Sequence, residues 1–170
     1  MEASTPARSV LMIIRRFPPM MSGKGYQMLT LSPALEARNV KVTVLTINPG
    51  AAPRKEHYPG ADVVRVNANL NGSGQILFAL WNLWHILSNR GKYDLVHLQS
   101  LSGLHVPFAV LAAKLTGLSA IGELSLLGSD DPLSLEKTQL GRLILRAVRQ
   151  LNRIVYMSAP LKESCLRAYL

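Results

Sequence analysis

Apolar positions fall along the chain in short blocks of two kinds. Val10-Leu11-Met12-Ile13-Ile14 is a continuous apolar run between polar segments, the pattern of a strand buried on both faces. Val40 to Thr46 is β-branched and partly alternating, and Val63-Val64-Arg65-Val66, Tyr93 to Leu98, Ser119 to Leu124 and Arg153 to Met157 are further strand-like blocks. Between them the apolar period becomes helical. Met28, Leu31 and Leu35 predict a helix from about Tyr26 to Arg38, kinked by Pro33. Gln75 to Asn89 predicts a helix apolar on most faces, Leu104 to Leu115 one closed by Gly117, and Leu135 to Leu151 a longer one, while Ser158-Ala159-Pro160 opens a last helix. Prolines and glycines mark the connections at Arg15 to Gly25, Asn48-Pro49-Gly50, Asn69 to Gly74 and Leu127 to Pro132.

Strands that alternate with helices over connections too long for hairpins predict an α/β fold, a doubly wound parallel sheet of Rossmann-like type. A chain of 170 residues that is 48% hydrophobic fills one core, so a single domain over 1–170 is expected, with 1–8 as a flexible tail. In such sheets ligands bind outside the carboxyl ends of the strands, near the point where strand order reverses. The loops after Ile14, Leu98, Leu124 and Met157 therefore carry the candidate chemistry.

Composition narrows the classes. Ile76 to Leu87, interrupted by Asn82 and His85, is shorter than the ~20 residues of a spanning helix. The opening Met1-Glu2-Ala3-Ser4-Thr5-Pro6 lacks a basic n-region, and no export is expected. The lone Cys165 and four scattered histidines suggest a reduced, cytoplasmic setting and no structural metal. A formal charge of +9 favours anionic partners. Nucleic acid fits poorly, because the few aromatic residues are not interleaved with the basic ones as a stacking platform requires. Arg142, Arg146, Arg149 and Arg153 would share one face if helix runs through all four. Such a face suits an anionic membrane or a protein partner, and equally a solvated helix surface. Trp81 and Trp84 lie on one helical side, as core packing or as an interfacial anchor.

The first loop is the most informative. A phosphate-binding P-loop needs glycine where Pro18 stands and Ser or Thr where Gly25 stands, and a dinucleotide fingerprint needs glycines where Arg15-Arg16-Phe17-Pro18-Pro19 runs. Both are excluded. What remains is a glycine-containing loop into a helix N-terminus flanked by Arg15, Arg16 and Lys24. It reads as an anion cradle or as an ordinary surface turn.

Phe17-Pro18-Pro19-Met20-Met21-Ser22-Gly23, then Leu35-Glu36-Ala37-Arg38-Asn39-Val40-Lys41-Val42-Thr43-Val44-Leu45-Thr46, Tyr93-Asp94-Leu95-Val96-His97 and Ser158-Ala159-Pro160-Leu161-Lys162-Glu163 occur in one order. That ordered set resembles the amino-terminal half of family-4 glycosyltransferases of GT-B fold. The resemblance implies the mainly acceptor-side domain of a metal-independent, hexosyltransferase-like enzyme, retaining in mechanism, with a nucleotide-sugar as co-substrate, no other cofactor and an acceptor hydroxyl that is often lipid-linked. The donor would be held by a second domain carrying Glu-x7-Glu, a spacing no two glutamates here have. This chain alone is then expected to be inactive. Departures are Ser22 for the first glycine of Gly-Gly, Asn39-Val40 for Gly-His and Gln99 for the second histidine of Val-His-x-His, and no catalytic histidine can be carried onto Glu123 to Asp131. The candidate substrate-binding residues are Arg15, Arg16, Ser22, Gly23, Lys24, His97, Gln99, Glu123 and Asp130, with catalytic residues unassigned. Solvated loop carboxylates are the plainer reading of Glu123, Asp130 and Asp131. His97 is read either as a packing residue or as part of the cleft floor. His57, His85 and His105 are read as structural. The competing functional reading is a non-catalytic basic α/β module docking on anionic membrane or a protein.

Overall fold

The computed structural model of the chain describes residues 8–20, 22–48, 50 and 52–168. The apolar run from Val10 forms β1 (Arg8–Ile13), whose side chains are buried from Val10 onward. Arg8, assigned to the tail, already belongs to this strand, and the rest of the tail lies outside the described residues. Around β1 stand β2 (Val40–Asn48), β3 (Lys55–Tyr58), β4 (Ala61–Asn67), β5 (Leu95–Leu98), β6 (Ser119–Leu124) and β7 (Arg153–Tyr156), in the order β3-β4-β2-β1-β5-β6-β7. Every pairing is parallel except β3 with β4. Strand order reverses between β1 and β5, which pair with Val10 opposite Leu95.

Alternation along the strands feeds two cores. Val10, Met12, Val42, Val44 and Val63 pack on one face with Met28 of α1 (Gly23–Glu36). Leu11, Ile13, Leu45, Val96 and Leu98 pack on the other, beneath α2 (Ser73–Ser88), α3 (His105–Thr116) and α5 (Gln139–Val148). Two further helices, α4 (Pro132–Leu135) and α6 (Ala159–Arg167), complete the chain. Gly117 closes α3 in the left-handed region, as its position predicts.

Three expectations need correction. α1 begins at Gly23 rather than near Tyr26, because Ser22 supplies an N-cap whose Oγ accepts a 2.9 Å bond from Gly25 N. β3 is a strand where the sequence shows only a polar stretch. It is an edge strand, and its alternation is one of exposure among charged and aromatic side chains rather than of apolar residues. The predicted helix 135–151 is two helices. Thr138 caps α5 by accepting from Gly141 N at 2.9 Å, and Gly141 lies so close to Leu135 that a Cβ there would fall 1.9 Å from its carbonyl oxygen. Helix α5 then ends at Val148, with Arg149 as its C-cap. Arg142 and Arg146 are exposed on the helix, Arg149 follows its end and Arg153 stands on β7, so the four arginines do not share one helical face.

Candidate functional site

The loop leaving β1 is held from beneath. Phe17 is 1% exposed and meets Tyr58 edge-on at 5.2 Å. Arg65, 3% exposed on β4, donates to the carbonyls of Pro18 at 2.7 Å and Pro53 at 3.1 Å and pairs with Glu56 at 2.7 Å. One buried guanidinium thus ties the first loop to the β3–β4 hairpin. Its signal in the sequence was a lone arginine inside Val63 to Val66, and it was not singled out there. Above this anchor Ser22 Oγ donates to Arg16 O at 2.8 Å while capping α1. A close approach falls at Gly25, where a Cβ would lie 2.9 Å from Ser22 Oγ and 3.1 Å from Pro18 Cδ. Gly23 is exposed, and nothing described lies within 4 Å of where its Cβ would be.

The first turn of α1 brings Lys24 onto Glu123 at the end of β6. Lys24 Nζ pairs with Glu123 Oε1, Gln27 Nε2 lies 3.5 Å from the same oxygen, and His97 Nε2 stands 3.7 Å from Oε2. Gln99 Nε2 lies 3.1 Å from His97 Nδ1, and the buried Gln99 Oε1 has no hydrogen-bond partner among the described residues. Lys24, Gln27, Glu123, His97 and Gln99 form one polar line across the ends of α1, β6 and β5. Burial holds the His97 pKa below its ordinary value, Lys24 adds to that, and Glu123 opposes it. The imidazole is therefore neutral near pH 7. Glu123 is buried and paired, so the reading of it as a solvated carboxylate does not hold.

Lys24 is thus neutralised, and the expected triplet of free cations is reduced to two. Arg15 is half-buried, with Nη2 3.4 Å from Ser102 Oγ; Arg16 is exposed; neither has an ion pair among the described residues. Burial lowers the Arg15 pKa and neighbouring Arg16 lowers it further, against the pull of Asp130. Both guanidiniums border an open cleft of about 360 Å³ that also reaches Ser22, Asn71 and Gln75 at the start of α2, Ser100 after β5 and Ser125 after β6. It lies at the carboxyl ends of the strands, beside the reversal of strand order. Ser100 and Ser102, 3.1 Å apart, escaped notice in the sequence because isolated serines in a loop carry no spacing signal.

Asp130 is turned inward. It accepts from Leu126 N at 2.9 Å and from Ser125 N and Oγ at 3.4 and 3.3 Å, and is 1% exposed. Asp131 caps α4 and accepts from Gly128 N, Ser134 N and Ser164 Oγ. Burial raises its pKa, but those hydrogen bonds outweigh burial and leave it lowered. Both aspartates close the loop after β6, so neither is a solvated carboxylate. His85 bonds Tyr93 at 3.0 Å, and the buried His105 packs on Phe78 at 5.7 Å. His57 pairs with Asp62 at 2.9 Å on the surface.

With this geometry in place, comparison with known proteins decides the family. The family model of the glycosyl transferase 4-like domain matches residues 22–168. The chain belongs to that family. No curated protein sequence matches it. Among solved structures, a putative UDP-N-acetylglucosamine 2-epimerase from Listeria monocytogenes superposes with a TM-score of 0.64 at 12% identity, over 96% of this chain and 43% of that one. Arabidopsis thaliana UGT89C1 gives 0.62 at 14% identity over 94% and 46%, and a Rickettsia africae glycosyltransferase 0.61 at 14% over 96% and 40%. These likenesses show the fold, an α/β Rossmann-like domain of the kind found in GT-B enzymes. The chain spans less than half the length of each of these structures.

Proposed function

We propose that this glycosyl transferase 4-like domain is the amino-terminal, mainly acceptor-side part of a glycosyltransferase that moves a sugar from a nucleotide-sugar donor to an acceptor hydroxyl, without a metal ion and with retention at the sugar carbon. The observation that carries the reading is the cleft itself. Two arginines without carboxylate partners among the described residues border it, at the strand-order reversal where such folds take ligands. A diphosphate leaving group gathers negative charge in the transition state, and fixed cations stabilise that charge. Arg15 and Arg16 supply them; Ser22 and Lys24 line the same cleft, and Gln99 and Glu123 hold the neutral His97 and Lys24 in place behind it. Gly23 leaves the loop open to a group arriving from outside the chain.

The remaining part of this reading is a second α/β domain that holds most of the nucleotide-sugar, with its diphosphate reaching Arg15 and Arg16, and closes the other wall. The setting is cytoplasmic, with an acceptor that is lipid-linked or carried at a membrane. The 170 residues alone then release no nucleotide from UDP- or GDP-sugars, with or without an acceptor mixture. A nucleotide-release assay on the purified chain tests this, and sustained turnover by the isolated chain would overturn the half-enzyme reading.

A further inference from the structure

The outward face of α2 is apolar where a sheet-covering helix is ordinarily polar. Ile76, Leu77, Leu80, Trp84 and Leu87 are 51, 46, 48, 54 and 39% exposed. At 100° per residue they fall within one arc of roughly 100°. α2 carries no Asp, Glu, Lys or Arg among its 16 residues. Beside it α3 adds Leu111 and Leu115, 49 and 66% exposed, so the apolar surface runs across two packed helices. Trp81 stays partly buried against the core, its ring 4.8 Å from that of the exposed Trp84 and tilted 48° to it. Cations lie along the apolar stripe, and the acidic residues nearest it, Glu56 and Asp62 in the groove beside Trp81 and Trp84, are already paired with Arg65 and His57. Arg90 and Lys92 follow the end of α2, and Lys114 stands between Leu111 and Leu115; all three are exposed. Between Asp62 and Glu123 the sequence contains one acidic residue, Asp94, which accepts from Ser9 N at 2.7 Å.

We propose that the α2–α3 face is a membrane-docking surface, lying on a bilayer that contains anionic lipids, and that the basic helix α5 is not. Exposed leucines, an isoleucine and a tryptophan enter the boundary between headgroups and acyl chains, and a rim of cations meets the headgroups. No helix among the described residues is long and apolar enough to cross a membrane, so the contact is with the surface. A second copy of the chain fits this face less well. Two such surfaces would bring Arg90, Lys92 and Lys114 of each copy together in a chain already at +9, while the nearby Glu56 and Asp62 are engaged by Arg65 and His57. Gln75 lines the strand-end cleft while its neighbour Ile76 opens the outer stripe, so the docking surface starts at the edge of the cleft. The inference rests on exposure and charge alone and stands whether or not the chain serves a transferase.

The test is co-sedimentation of the full chain with vesicles of phosphatidylcholine, alone or mixed with phosphatidylglycerol, read together with tryptophan emission. The sequence has two tryptophans, Trp84 on the surface and Trp81 beside it against the core, so docking shifts the emission of Trp84 to shorter wavelength. The expected result is binding to the anionic vesicles that weakens with salt and drops on the order of tenfold or more in Leu80→Gln/Leu87→Gln. An Arg142→Ser/Arg146→Ser chain binds as the parent does. Should the α2 variant lose its circular-dichroism melting transition, Leu111→Gln/Leu115→Gln on α3 makes the same decision. Absence of binding to anionic vesicles, binding untouched by the leucine changes, or binding lost with Arg142 and Arg146 overturns the proposal. So does a concentration-dependent dimer in light scattering that the same leucine changes dissolve.

Discussion

At the scale of single residues the cleft is built from groups that constrain one another. Lys24 and Glu123 are both largely buried, with side chains 17 and 4% exposed. Removing one partner leaves the other charge without an answer in a low-dielectric site, which costs about 3 kcal/mol or more. Lys24→Met is therefore expected to lower the unfolding free energy by that order. Lys24→Met/Glu123→Gln should recover most of it, as denaturant unfolding of the two variants would show. The two loop glycines separate structure from function in a similar way. Gly25→Ala crowds Ser22 Oγ and Pro18 Cδ and is expected to destabilise by about 1–2 kcal/mol. Gly23→Ala meets nothing among the described residues and should leave stability unchanged or slightly raised, since alanine is the better helix former. An equal loss of thermal stability in the two variants would show that Gly23 is also confined by the chain.

Elements show what was legible and what was not. The strands with β-branched or continuous apolar runs, β1, β2, β4, β5 and β6, appear where the pattern puts them, because burial on two faces leaves a strong signal. β3 left none, since an edge strand exposes half of a polar tetrad and its partner contacts are backbone bonds to β4. Its turn is nonetheless exacting. Gly60 has a φ of 76°, and a Cβ there would stand 2.4 Å from the Ser32 carbonyl carbon and 2.5 Å from Pro33 N of α1. Gly60→Ala thus suffers both backbone strain and overpacking, and a loss on the order of 2–4 kcal/mol is expected by urea unfolding. The break between α4 and α5 was likewise hidden, because Gly141 reads as a tolerated helix glycine until its contact with Leu135 is seen. That break and the early end of α5 are why the arginine stripe does not form.

Helices α2 and α3 also carry a pH dependence. Burial lowers the His85 pKa to about 4, helped by Lys92, and burial with Arg15 lowers that of His105 to about 3. Above the unfolded value near 6.5 both states are neutral and the histidines contribute nothing to the slope. As pH falls below about 6.5 the unfolded chain binds protons that the folded one refuses, and stability drops until His85 itself titrates near 4. His105→Gln should make that decline shallower in urea midpoints measured across this window. An unchanged slope would contradict the depressed value.

Over the whole molecule, the family was legible in ordered motifs that individually decide little, and the cleft was legible through its loops, because parallel sheets gather their functional loops at one end. What escaped the sequence was pairing. Nothing in the spacing shows that Lys24 of the first loop is already engaged by Glu123, a contact between residues 99 positions apart. Arg65, which anchors that loop from a neighbouring strand, was hidden for the same reason. The central claim is that the strand-end cleft bordered by Arg15 and Arg16 takes the diphosphate of a nucleotide-sugar. Amide correlation spectra of the isotopically labelled chain, titrated with UDP-glucose and with pyrophosphate, test it directly. The account predicts shifts gathered at Arg15, Arg16, Gly23 to Gly25 and Ser100 to Ser102 that disappear in Arg15→Ala/Arg16→Ala. Shifts centred on the groove that Trp81, Trp84, Glu56 and Asp62 line between α2 and the β3–β4 hairpin, or shifts that survive the double substitution, would contradict it.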